Sequence, residues 1–261
     1  MDRSNIDKIA QTSDDRLLLA KLWDKIHSGI RKNIPANTGF LSPREQELAQ
    51  YLFGNQQGLA FFGGYPDAER KMLVFLPDYL PPECLYEADS CLCCLRATYY
   101  ERDQLTHRDF LGALMGAGIA RETVGDICVG NGSCDFLATA EITPYIIQNL
   151  TEAGRTKLNI RQIPLQQLQL PPVQVQQICD TVASVRLDSI LATGFRMGRS
   201  QATQAICTGK VAIDGLACDK PDKALSEGAK ISLRGSGKIQ LKQIGQTTKK
   251  GRISVVIDRY V

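Results

Sequence analysis

Three sets of residues in this 261-residue chain have the types and spacing to do chemistry. His107, Arg108 and Asp109 would be an acid–base trio if they converged. At successive positions on one helix they face different directions, so capping and surface roles fit them better. Cys91, Cys93 and Cys94, with Cys84 or His107 in support, would be metal ligands, but C-x-C-C is not the usual zinc-knuckle spacing. In a buried strand, cysteine acts as a small hydrophobe. An odd total of nine cysteines, without a secretory segment, reads as reduced thiols. With only His27 and His107 available, no Ser/His/Asp set is credible. The chain is therefore expected to have no catalytic residue, no metal and no cofactor. The third set is cationic and polar: Arg186, Arg196, Arg199, Ser200, Gln201, Thr203, Gln204 and Lys210. A basic loop adds Lys249, Lys250 and Arg252. Arginine forks, hydroxyls and the free N–H groups of a helix start converge naturally on phosphate, and the glycine in Lys-Lys-Gly-Arg permits close backbone approach.

The elements that must position this third set are short. Leu187, Ile190 and Leu191 share a helical face, with Gly194 as the expected left-handed cap. A second helix starts near Arg199, turns Ala202, Ala205 and Ile206 inward and ends at Gly209. Lys210–Ile213 alternates as a strand, and Asp214-Gly215 signals a hairpin. Gly235-Ser236-Gly237 turns into Lys238–Leu241, and Ile253–Ile257 is the last strand.

Upstream, Ser13 or Asp14 can cap a helix carrying Leu17, Leu18, Leu22, core Trp23 and Ile26, with a break at Ser28-Gly29. A loop through Pro35 and Gly39 follows. Ser42, Pro43 and Glu45 form a capping box for a helix through Leu52. Leu59–Phe62 and Met72–Leu76 read as strands. From about Cys91 to Ile163 the order is βαββαβ: strand 92–99, a helix from the Thr106/Asp109 cap to Gly118, a hairpin of 124–129 and 134–138, a helix ending at Gly154, and strand 157–163. Base stacking on that sheet would fall to Tyr99 and Phe136, with Asp135 repelling phosphate, so the sheet reads as a degenerate platform that packs against another macromolecular surface. Pro164–Gln177 is Gln- and Pro-rich, stiffened by Pro171-Pro172, and Asp180–Val185 is strand-like.

The expected fold class is α+β, in four parts. Residues 1–80 form a helical and strand segment packing on the next domain, 81–163 a ferredoxin-like (RRM-like) domain, 164–180 a linker, and 181–261 a small basic domain with a C-terminal strand extension. The formal net charge of +3 hides an asymmetry. Residues 181–261 hold 14 Lys+Arg against 6 Asp+Glu, a net of +8, and the remainder 17 against 22, a net of −5. A basic third on an acidic body points to a polyanion partner for that third alone. No run reaches the length of a membrane span, and the polar, acid-bearing start argues against a secretory or transit segment. A cytoplasmic protein with no membrane partner is expected.

The ordered pattern from Arg186 to Lys242 resembles the alpha-L motif, the RNA-binding domain named after small-subunit ribosomal protein S-four. Gly198 stands where that family usually has Ser before Arg, and Ala229 where it usually has Asp after Gly. A second resemblance is carried by Leu105-Thr106-His107-Arg108-Asp109-Phe110-Leu111-Gly112-Ala113-Leu114-Met115-Gly116-Ala117-Gly118, by Arg121-Glu122-Thr123-Val124-Gly125-Asp126-Ile127 and by Phe40-Leu41-Ser42-Pro43-Arg44-Glu45. These look like the signature of YlmH-like proteins, and the long form is similar to the photosystem II S-four domain proteins of oxygenic phototrophs. The resemblance implies a noncatalytic, monomeric binder of structured rRNA or tRNA, associated with the large ribosomal subunit or peptidyl-tRNA in translation quality control. Two rival readings are an RNA-modifying enzyme and a photosystem II assembly factor acting through protein contacts. Arg186-Leu187-Asp188 imitates a pseudouridine synthase, yet 73 residues follow Asp188, too few for a catalytic domain. A methyltransferase would need a glycine-rich cofactor loop after a strand, and Gly112–Gly118 lies within a helix.

Overall fold

The computed structural model describes residues 5–87, 90–171, 175–249 and 251–260. They fall into two compact units, Met1–Pro171 and Pro172–Val261.

The first unit opens with α1 (Ile6–Ile9), α2 (Ser13–Lys32), β1 (Ala36–Leu41), α3 (Pro43–Phe53), β2 (Leu59–Phe62) and β3 (Lys71–Phe75). Thr12, not Ser13 or Asp14, caps α2: its hydroxyl accepts from Asp15 N–H at 3.1 Å, and the Asp15 carboxylate accepts from Thr12 N–H at 3.2 Å. The helix runs on through Ser28-Gly29 to Asn33, which takes the left-handed conformation (φ 51°). Gly29 serves packing, since a Cβ there would lie 2.5 Å from that of Ala36. The Ser42/Glu45 capping box forms as read. Arg44 beside it makes two 2.7 Å bonds to Asp15, joining α3 to the start of α2. The expected loop through Gly39 is instead strand β1, bulged between Asn37 and Phe40. At the bulge the Thr38 hydroxyl accepts from Leu73 N–H, replacing a ladder bond. The sheet order is β1-β3-β2.

Next come β4 (Leu92–Thr98), α4 (His107–Gly116), β5 (Val124–Val129), β6 (Ser133–Thr139), α5 (Thr143–Asn149), β7 (Glu152–Ala153), β8 (Thr156–Lys157) and β9 (Asn159–Ile163). The four long strands lie in the order β5-β6-β4-β9, every pair antiparallel, which is a split βαβ connectivity. Helix α5 stops at Asn149, short of Gly154, whose positive φ serves the β7–β8 hairpin. Alternation along the strands separates two cores. Leu95, Ala97, Phe136 and Ala138 face Phe110, Leu114 and Ile146 of the helices. Leu92, Cys94, Leu137 and Ile163 face Phe40, Phe62, Met72 and Val74 of the β1–β3 sheet.

The second unit contains β10 (Val175–Val182), α6 (Leu187–Phe195), α7 (Arg199–Cys207), β11 (Val211–Ile213), β12 (Leu216–Ala217), β13 (Lys230–Leu233), β14 (Gly237–Thr247) and β15 (Ile253–Tyr260). One antiparallel sheet runs β10-β15-β14-β13-β11-β12. Much of the expected linker is ordered structure: β10 pairs with β15 from Val175↔Tyr260 to Val182↔Ile253, and Leu165 and Leu168 pack into the first unit. Pro172 lies outside the described residues. Gly194 is not the cap of α6; a Cβ there would sit 2.5 Å from Ile239 Cδ1, so it lets the helix lie close on the sheet. Arg196 takes the left-handed position (φ 53°). Asp214 and Gly215 both have positive φ, as a tight primed hairpin requires.

Candidate nucleic-acid interface

Helices α6 and α7 pack through Leu187, Ile190, Ala202 and Ile206, which brings the start of α7 beside the start of α6. Arg196, Arg199, Ser200, Gln201, Gln204 and Lys210 are exposed, and Thr203 and Arg186 half-exposed. The expected residues at these helix starts thus gather in one region. Gly198 has no cap to offer, but Gln201 Oε1 accepts the Gly198 N–H at 3.2 Å, keeping one half of a capping box.

Arg199 is not the free fork that the sequence suggests. Its Nε and Nη2 both donate to Asp188 Oδ2, at 2.9 and 2.8 Å. Asp188 is buried at 4% exposure, and Arg186 Nε lies 3.4 Å from its other oxygen. Two cations therefore close over one buried carboxylate, and Arg199 anchors α7 to α6 while keeping an exposed edge. Arg252 is likewise committed: its guanidinium bonds the hydroxyl and carbonyl of Thr181 on β10. Lys249 is exposed; Lys250 lies outside the described residues.

Cations missed in the sequence join this region. The Leu187 and Asp188 N–H groups donate to the Lys223 and Pro221 carbonyls, laying the loop of Lys220 and Lys223 against the start of α6. Arg234 N–H donates to the Lys210 carbonyl at 2.9 Å. All three side chains are exposed and form no ion pair among the described residues. In sequence they hide in an alternating Asp-Lys-Pro-Asp-Lys run and at a strand end, where only the fold shows their neighbours.

The other candidates serve structure. Asp109 accepts from both the N–H and the hydroxyl of Thr106, which lowers its pKa and ties it to the cap rather than to His107. Cys93 and Cys94 are buried in β4, and burial pushes the Cys94 thiol up to about 12. Phe136 is fully buried on the helix side of the sheet, and Tyr99 leans on Phe110, so neither offers a base a platform. Asp135 does not face phosphate either. It is buried in a two-pronged 2.7 Å pair with Arg96 and accepts from Gln169 N–H, while Arg96 donates to the Gln167 carbonyl. The Arg121–Ile127 stretch is a fastening. Asp126 accepts from the Tyr65 hydroxyl and from the N–H groups of Glu69 and Arg70, and Gly125 leaves room for the Phe40 ring.

A family model described as "Putative RNA-binding domain in YlmH" matches residues 93–167. Over 224 residues the chain is 34% identical to "Ribosome-associated protein quality control protein P2" of Bacillus subtilis (strain 168), spanning 85% of this chain and 86% of that protein. The chain belongs to the YlmH family. The solved structure "Cell division protein ylmH from Streptococcus pneumoniae" shares the fold with a TM-score of 0.51 at 21% identity, over 62% of this chain and 98% of its own. The segment matched by the family model runs from β4 past β9, the sheet whose two faces are covered by α4 and α5 and by the β1–β3 sheet. No helix among the described residues is long and apolar enough to cross a membrane.

Proposed function

We propose that this YlmH-family protein is a noncatalytic, ribosome-associated factor that holds structured RNA through residues 181–261. The observation that carries this reading is the cationic surface around the starts of α6 and α7. Arg196, Lys210, Lys220, Lys223 and Arg234 are exposed there without an ion-pair partner among the described residues, in a segment of net charge +8. Two packed helices followed by the β11–β12 hairpin support reading residues 186–242 as an alpha-L module, and the split βαβ order supports a ferredoxin-like domain before it. Phosphate contacts fall to Arg196, Ser200, Gln201, Thr203, Gln204, Lys210 and Lys249, while Arg186, Arg199 and Arg252 position the elements that carry them. The RNA is large-subunit rRNA, in keeping with the quality-control name of the Bacillus subtilis relative, and the protein acts as a cytoplasmic monomer. The test is crosslinking of the tagged full-length protein in cells, followed by sequencing of the attached RNA. One contiguous large-subunit rRNA site is expected; recovery of scattered messenger RNA alone would refute the assignment.

A further inference from the structure

We infer that the first unit carries a docking groove for a partner protein: an extended segment that presents bulky apolar side chains between lysines or arginines. A cavity of about 510 Å³ opens between α2, the bulge of β1 and the end of β6, within the size range of built binding sites. One wall is a stripe of α2 at helical spacing, from Asp14 through Leu17, Leu18, Lys21 and Leu22 to Lys25. Leu17 is 58% exposed, although the core on the other side of α2 is filled by Leu19, Trp23 and Ile26. The buried Phe40 and Leu41 add further apolar lining.

Two features select an extended peptide. Strand β1 lines the groove and is the edge strand of its sheet among the described residues, although the Phe40 and Leu41 carbonyls already accept from Arg70 and Gln46. The Thr139 hydroxyl, at the end of β6, is buried without a hydrogen-bond partner among the described residues, and its residue is only 8% exposed. Such a group costs stability until something meets it, and a peptide N–H or C=O would do so.

Charge selects the sign of the partner. Asp14, Glu45, Glu122 and Glu141 line the groove against Lys21 and Lys25, and the chain before residue 181 has a net charge of −5. Nucleic acid is repelled here, and a cationic segment is drawn in.

The probe is a fluorescein-labelled peptide of alternating lysine with leucine or phenylalanine, titrated into the full-length protein by fluorescence anisotropy. Binding is expected. Leu17→Ser should weaken it about tenfold, as expected for loss of one buried leucine contact. The double change Glu122→Lys, Glu141→Lys should weaken it by a similar factor, roughly tenfold, and Thr139→Val should weaken it while raising the melting temperature of the peptide-free protein. RNA affinity should stay at the wild-type value in all three, since it belongs to the second unit, and a cooperative thermal transition of the first unit, followed by circular dichroism, reports that they fold. The proposal is overturned if the peptide does not bind, if a version with glutamates for lysines binds equally well, or if the variants bind like wild type.

Discussion

Replacing Arg199 by alanine separates an RNA contact from a structural one. A free, exposed arginine would cost RNA affinity and leave folding untouched. In the structure its Nε and Nη2 both reach Asp188 Oδ2, at 2.9 and 2.8 Å, and the carboxylate is 4% exposed. Removing one partner of a buried pair costs about 3–5 kcal/mol. Two features reduce that here. The Arg199 side chain is 56% exposed and so screened by water, and Arg186 and the Ser189 N–H stay beside the carboxylate. We expect about 1–3 kcal/mol. A domain of this size loses roughly 4–8 °C per kcal/mol, so the melting temperature of the second unit should fall by roughly 5–20 °C. The assay is thermal denaturation of the full-length chain for wild type, Arg199→Ala, Arg199→Lys, Asp188→Asn and the Arg199→Ala, Asp188→Asn double variant. Lysine should recover part of the loss, since it restores charge but not the fork. The double variant should lose less than the sum of the singles, because no buried carboxylate is left uncompensated. RNA affinity is then measured below the transition. An Arg199→Ala protein that melts with wild type and loses only RNA affinity would refute the structural role.

Three further outcomes follow from the geometry. Lys210→Ala should leave stability unchanged and flatten the dependence of log RNA affinity on log salt by roughly 0.7–0.9, one phosphate contact's worth, read from binding across a salt series. Gly194→Ala should destabilise the second unit by about 1–3 kcal/mol in chemical denaturation, because the new methyl meets Ile239 Cδ1 at 2.5 Å. Arg44 hydrogen bonds hold the Asp15 carboxyl at about 2, below its ordinary 3.8; the stability this gives is present above the ordinary value and lost as pH falls towards 2. Acid titration of unfolding should show a loss of roughly 1–2 kcal/mol over that window, absent in Asp15→Asn.

What the sequence discloses about this fold is what is encoded within a few residues. Ser42, Pro43 and Glu45 form a cap by themselves, and Asp214-Gly215 makes its turn by itself, so both read correctly. Gly29 and Gly194 read as helix ends because the local signal for a terminator and for a close approach is the same residue; only Ala36 and Ile239, brought in by the fold, decide between them. Arg199 reads as a free cation because Asp188 is eleven positions away, a separation at which no helical pattern pairs them. The first half of strand β10 reads as linker because its residues Val175–Gln177 are exposed, while its end, from Asp180, already reads as strand; what orders the first half is a partner strand near the other end of the unit. Lys220, Lys223 and Arg234 carried no signal, since a solvated lysine and a phosphate-facing lysine look alike until their neighbours are known.

The covered sheet bears on how the two units divide their work. A split βαβ sheet offers nucleic acid the face opposite its helices. Here that face is filled by Phe40, Phe62, Met72 and Val74, and the lid is fastened as well as packed. Asp126 takes three hydrogen bonds from the Tyr65–Arg70 segment, and Arg70 donates in return to the carbonyls of Phe40 and Val124. A polar fastening at the rim of an apolar contact resists transient opening, because exposing it would strand a carboxylate and a guanidinium whose partners are fixed in place. Release of the lid to admit RNA is therefore costly, and it would expose phenylalanines that a soluble surface does not keep. The sheet is better suited to hold the acidic, grooved surface of the first unit in shape than to bind a base. The proposed reading then leaves phosphate recognition to the second unit, where the ion pair at Asp188 fixes the two helix starts beside Arg196, Ser200 and Gln201.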